Sequence, residues 1–326
     1  MDDLLTNGRA GERRTLGFDQ AVPRSLAHRS AVAEVFVTDT APAGGDEFLA
    51  AVQLPRAHAL WFDRLVTYHD PLAVLEAVRQ SLLVIGQRYL GVPADAPASL
   101  QRMGLSVDDL SLFHDDERTP LEAIVRIRSD QTSADSGYFR DVSFEAAVTI
   151  DGARAMTVRG GGIAFPRDAY EELRALQQNR RGPSATTDTP PLDPNLFGRR
   201  DPRNIVLGRP DERLILVVDQ RHPSFFDHPY DHVPGPLLIE AFRQAALVAA
   251  TEANLLDAPV AAVTELRAEF TEFIELDADI ECVTEISPGS APGFPQVRIG
   301  LHQYGKQIAD GAVELSSYPP IGTGIR

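Results

Sequence analysis

Two glutamates, each followed at fixed spacing by an arginine and a glutamine, are the residues best suited to chemistry. Leu75-Glu76-Ala77-Val78-Arg79-Gln80 recurs as Ile239-Glu240-Ala241-Phe242-Arg243-Gln244, 164 positions later. On a helix, positions i, i+3 and i+4 share one face, so each hexamer gathers a carboxylate, a guanidinium and a carboxamide at one place. A carboxylate can take the proton of a hydroxyl group. A guanidinium can hold a phosphate in bidentate fashion. A surface salt bridge is the bland reading of such pairs. Here the flanking residues are apolar on most sides, and a buried ion pair is costly unless fully paired. A cavity that uses the charges therefore accounts for them better.

The elements that must position these trios repeat with them. Phe62-Asp63-Arg64 falls at the same offset as Phe226-Asp227-His228, and strand-flanked turns recur at Asp151-Gly152 and Tyr304-Gly305. Asp70 as N-cap, Pro71 at the first helical position, and a stop at Gly91 and Pro93 predict a long helix around Glu76. Gly235-Pro236 opens the second helix, which is apolar nearly all round and hence expected to be buried. Strands are predicted at 31–37, 122–127, 142–150 and 155–158 in the first half, and at 214–218, 279–286, 296–303 and 312–315 in the second. A short helix at 168–178 and a Pro/Gly/Thr-rich stretch at 179–191 separate the halves.

This pattern predicts an α+β chain with a tandem (double) hotdog fold. In each half a long central helix is wrapped by an antiparallel sheet, and the two halves form an intrachain pseudo-dimer. The expected divisions are a flexible N-terminal arm at 1–21, repeat 1 at 22–165, the helix and linker at 166–200, repeat 2 at 201–318 and a tail at 319–326.

The stretch from Phe225 to Ala241, which holds His228, Pro234-Gly235-Pro236 and Glu240, resembles the loop-and-helix signature of hotdog acyl-thioester enzymes. The five-residue step from Gly235 to Glu240 matches that of the dehydratases of that superfamily, whereas the step from His228 to Gly235 is shorter. Arginine in both hexamers, the opening Leu26-Ala27-His28-Arg29-Ser30-Ala31-Val32-Ala33-Glu34-Val35 and the two-repeat layout are similar to the A-factor biosynthesis family of actinomycete γ-butyrolactone signal synthases. The resemblance implies an acyltransferase that joins a β-ketoacyl group to the hydroxyl of dihydroxyacetone phosphate, giving an ester that cyclises to a butenolide phosphate. It implies no cofactor beyond the phosphopantetheine of an acyl carrier protein partner. The alternatives are a non-catalytic acyl- or lactone-binding module and a hotdog thioesterase or dehydratase.

Glu76, Arg243, Glu240 and Arg79 are the expected catalytic residues, with a carboxylate as base, an arginine on phosphate, and Glu76 with Arg243 the least replaceable pair. Gln80, Gln244, His228, Asp227, Arg64, His69 and Gly235 are the expected substrate-binding residues. The oxyanion would be met by N–H groups at a helix N-terminus, from Gly235 or the residues after each proline. One site would join Glu76 and Arg79 to the loop of Asp227 and His228. The other would join Glu240 and Arg243 to the loop of Asp63, Arg64 and His69. Asp227-His228 and Asp231-His232 read as residues at a pocket mouth rather than metal ligands. Gly160-Gly161-Gly162 reads as a strand bulge or end.

Composition narrows the partners. Among 326 residues, 47 acidic against 31 basic side chains leave a net charge of −16. That balance argues against nucleic acid and anionic membranes. Lys306 is the only lysine, which leaves anion binding to arginine. The single cysteine, Cys282, excludes an intrachain disulfide and reads as a core residue. The acidic start lacks a signal-peptide pattern, so a cytoplasmic monomer or homodimer is expected.

Overall fold

The computed structural model describes residues 15–318 apart from 134–139, 257–259, 288 and 292. The first fourteen residues of the expected arm and the tail at 319–326 lie outside the described residues. From Leu16 onward the chain is docked: Leu16 and Val22 are buried, and the Val22 N–H donates to the Val37 carbonyl.

The first half runs β1 (Val37–Gly44), β2 (Glu47–Leu54), α1 (Pro71–Tyr89), β3 (Ala98–Val107), β4 (Leu121–Ser133), β5 (Arg140–Ile150) and β6 (Ala153–Ala164). After α2 (Arg167–Arg180), the second half repeats that order as β7 (Leu207–Gly208), β8 (Leu214–Leu216), α3 (Gly235–Glu252), β9 (Ala262–Phe270), β10 (Glu281–Ser287), β11 (Gln296–Gln303) and β12 (Lys306–Ser316). All twelve strands form one antiparallel sheet in the order β1-β2-β4-β5-β6-β3-β9-β12-β11-β10-β8-β7. Each half thus has the same internal order. They meet where the strands that follow the two helices pair, with Met103 opposite Ala268 and Leu105 opposite Leu266.

Helix α1 starts where expected because the Asp70 side chain accepts from the Leu72 N–H, and it ends before Gly91, which takes a positive φ of 64°. Both α1 and α3 are buried along most of their length, α1 packed against β1 and β2 and α3 against β10, β11 and β12 of the one sheet. The strand expected at 31–37 is instead a single turn at Val32–Glu34, followed by extended chain leading into β1. The cause lies in α1. Gln80 Oε1 accepts from the Phe36 N–H and Gln80 Nε2 donates to the Glu34 carbonyl, so a side chain takes the bonds that a neighbouring strand would otherwise make.

The glycine triplet sits in β6 opposite an irregularity in β3 between Leu100 and Arg102. A Cβ on Gly162 would lie 2.3 Å from the Ser99 carbonyl oxygen, and one on Gly160 would lie 2.7 Å from the Phe144 ring. Only glycine permits that approach. Cys282 is a buried strand residue whose thiol burial pushes up to about 12.

Candidate active site

Each trio closes on itself in the same way. Glu76 Oε1 accepts from Arg29 Nη2, from Arg79 Nη2 at 2.9 Å and from Gln80 Nε2 at 2.9 Å, while Oε2 accepts from Arg79 Nε at 2.7 Å. Glu240 Oε1 accepts from Arg199 Nη2 at 3.1 Å, from Arg243 Nη2 and from Gln244 Nε2 at 2.7 Å, and Oε2 from Arg243 Nε at 2.9 Å. Burial alone would push these carboxyls up. The paired arginines, with the glutamine bonds, outweigh it and hold both at about 2.

Arg29 and Arg199 enter from the segments ahead of β1 and β7, and loops from the opposite half pin those segments. Asp63 accepts from the N–H groups of Arg200 (2.9 Å) and Asp201 (3.1 Å), and Asp227 from those of Ser30 (2.5 Å) and Ala31 (3.0 Å). His58 Nδ1 accepts from the Leu60 and Trp61 N–H groups, and His222 Nδ1 from those of Ser224 and Phe225. Trio, second arginine and cross-half latch are therefore all built twice.

What faces the two arginines differs. Arg79 lines a cavity of about 260 Å³ that runs between α1, the ends of β3, β5 and β6, and the start of α3. Its wall is apolar through Leu82, Met103, Phe144, Leu238, Phe270 and Ile274, and its polar lining includes His28, Arg79, Gln87, Tyr230, His232, Gly235 and, paired with Lys306, Glu272. Arg243 faces a space of about 30 Å³, closed by Asp63, Arg64, Asp70, Arg199 and Tyr318. Asp70 adds a negative charge beside Arg243, whereas Pro234 holds the corresponding place in the other site. Each trio with its second arginine carries one net positive charge. Asp70 offsets it at Arg243, whereas among the described residues Glu76 is the carboxylate that acts on Arg79.

The helix N-termini diverge likewise. At α1, Pro71 has no N–H and Asp70 occupies that of Leu72. At α3 the Leu237 and Leu238 N–H groups turn back to the Pro234 carbonyl, which leaves the Gly235 N–H, in the cavity wall, with no intrahelical partner. Of the donors expected for an oxyanion, Gly235 is the one so placed.

Several expected roles change. Glu76 and Arg243 stand in opposite sites, each paired within its own trio. An ionised carboxylate already accepting four hydrogen bonds is a poor base, and the bonds of Glu76 and Glu240 are ones that hold arginines in place. Gln80 and Gln244 have both ends of their amides occupied by the chain. Asp227 is a loop latch. Arg64 lines only the small space, donating to the Tyr68 carbonyl and to Asp115. His69 is buried with Asp115 at 3.8 Å and lines neither cavity. His228 lies tilted against Tyr230, 4.2 Å between ring centroids, and does not line the cavity.

His28, Tyr230 and His232 are functional candidates that the hexamers alone did not expose. Burial, then Arg79, pushes the His28 imidazole below its usual range. Among the described residues, no helix is long and apolar enough to cross a membrane.

The family model of the A-factor biosynthesis hotdog domain matches residues 11–164 and 182–318. A 2-oxo-3-(phosphooxy)propyl 3-oxoalkanoate synthase of Streptomyces virginiae is 32% identical over 285 residues, covering 86% of this chain and 93% of that protein. The synthase of the same name from Streptomyces coelicolor is 29% identical over 301 residues, covering 88% and 89%. Among solved structures, a protein described as an oleoyl thioesterase from Lactobacillus plantarum superposes with a TM-score of 0.50 at 10% identity, over 85% of this chain and 98% of that one. That last likeness concerns the double hotdog fold alone. The chain belongs to the A-factor biosynthesis hotdog family.

Proposed function

We propose that this member of the family is an acyltransferase that moves a β-ketoacyl group from a thioester to the hydroxyl of dihydroxyacetone phosphate. The product is a 2-oxo-3-(phosphooxy)propyl 3-oxoalkanoate, which cyclises to a butenolide phosphate. The observation that carries this reading is the cavity at Arg79, a largely apolar space lined also by a guanidinium and a helix N-terminus. The acyl chain lies along the apolar wall, at about 25 cal/mol per Å² of apolar area removed from water. Arg79, held rigid by Glu76, binds the phosphate. The Gly235 N–H stabilises the tetrahedral oxyanion that forms when the alcohol attacks the thioester carbon. The acyl group arrives on the phosphopantetheine arm of an acyl carrier protein, as the family resemblance implies.

The test is mass spectrometry of the protein mixed with a β-ketoacyl thioester, with and without dihydroxyacetone phosphate. A phosphorylated ester or butenolide formed only in the complete mixture is the expected result. Free acid formed in both mixtures would make the protein a thioesterase. Saturable lactone binding with no product would make it a binding module.

A further inference from the structure

We propose that Asp231 and His232 form the catalytic dyad of the Arg79 site, with His232 as the general base that takes the hydroxyl proton of the phosphate-bearing alcohol. This rests on the acyltransferase reading above and names the group which that reading lacks once Glu76 is committed to arginine.

His232 lines the large cavity three residues before Gly235. Its Nδ1 lies 2.6 Å from Asp231 Oδ1. A carboxylate only accepts, so the Nδ1 carries a proton, and in the neutral ring the lone pair is on Nε2. Asp231 is itself fixed from outside the loop. It accepts from the Tyr170 hydroxyl at 2.9 and 2.8 Å and from Arg174 Nε at 3.0 Å. Arg174 also donates to the Asp231 carbonyl at 2.9 Å and to Glu275 at 2.8 and 3.0 Å. Burial would raise the Asp231 carboxyl, but the bonds from His232, Tyr170 and Arg174 keep it well below the usual carboxylate range. A base, a carboxylate that orients it, and the Tyr170 and Arg174 side chains that hold the carboxylate are the parts that general-base catalysis uses.

Among the described residues, the dyad belongs to one site. Thr67 and Tyr68 stand at the corresponding positions of the first half. Tyr170 and Arg174 belong to α2, the helix between the repeats, and no such helix follows β12 among the described residues. His28 also lines the cavity, yet among the described residues no carboxylate accepts from its ring.

In the step, the alcohol oxygen bonds to the thioester carbon while its proton passes to His232 Nε2. The C–S bond then breaks, and the imidazolium returns the proton to the departing thiolate. No oxidant or further reactant is needed.

Steady-state kinetics of ester formation by His232→Ala and His232→Gln test the assignment, with added imidazole as rescue. The expected result is a fall in kcat of roughly 10²- to 10⁴-fold, a KM for dihydroxyacetone phosphate within about threefold of wild type, and partial recovery of His232→Ala by imidazole. Asp231→Asn should lower kcat without imidazole rescue. A kcat within threefold of wild type in both His232 variants overturns the proposal. So does a loss that appears as a raised KM and is untouched by imidazole. A wild-type protein that forms no ester sinks the acyltransferase reading, and the dyad with it.

Discussion

The Arg79 and Arg243 sites share a skeleton and differ in what covers it. Four donors reach each central glutamate from corresponding residues, and a loop of the opposite half latches each second arginine. Around Arg79 the space is open, Pro234 faces it, and the Gly235 N–H and the Asp231–His232 pair join it. Around Arg243, Asp70 supplies a countercharge, Pro71 removes a donor, and Tyr318 fills the space. Duplication has kept the costly part, a buried ion pair that must be fully bonded to exist at all. Divergence has acted at positions outside the trio, where one side chain decides between a site and a plug. The lesson is that a repeated motif marks a repeated support, not a repeated activity.

The largest expected difference comes from removing each arginine. Arg79→Ala should lower kcat/KM for dihydroxyacetone phosphate by roughly 10²- to 10³-fold, as for loss of a charged transition-state contact. Arg243→Ala should act through stability, because it strips the fully buried Glu240 of its principal partner. Denaturant titration should show a loss of about 3–5 kcal/mol. Equal and direct losses of turnover from both folded variants would break the comparison.

Next in size is the response to acid, in which the two sites should agree. Both carboxyls are held at about 2 when folded, against an ordinary 4.5. A depressed folded value means the stabilisation is present above about pH 4.5 and is lost as pH falls toward 2. Each should contribute about 3 kcal/mol at neutral pH. Unfolding of Glu76→Gln and Glu240→Gln should each lack one such increment of acid sensitivity. A variant that kept the full wild-type dependence would show its site to be wired differently.

A smaller effect separates them again. Leu82→Phe narrows the large cavity and should penalise the longest acyl chains by about 0.8 kcal/mol, roughly fourfold, for each methylene excluded. Competition between thioesters of different length reads this directly, and an unchanged length preference would place the acyl chain elsewhere. The smallest effect is expected of Asp70→Ala. It removes an N-cap at a cost of about 1 kcal/mol and, with catalysis proposed at the Arg79 site, should leave turnover unchanged.

Much of this was legible in the sequence. The hexamers, the caps of α1 and the apolar helices marked the double hotdog and the centre of each site. The second arginines were less legible because they belong to a different offset. Arg29 aligns with Arg199, and Phe36 with Val206, at 170 rather than 164. The change reflects a first hairpin of two eight-residue strands against strands of two and three residues in the second half. The dyad was hidden for another reason. Asp231 and His232 are neighbours in the chain, but what makes them a base is held by Tyr170, 61 positions away. The plug was hidden too, since Asp70 read as a helix cap and also serves as the countercharge to Arg243.

The central claim is one working site per chain, and calorimetric titration with dihydroxyacetone phosphate tests it most directly. The account predicts one equivalent bound per chain, lost in Arg79→Ala and retained in Asp70→Ala. Two equivalents in the wild type, or one that survives Arg79→Ala, would contradict it.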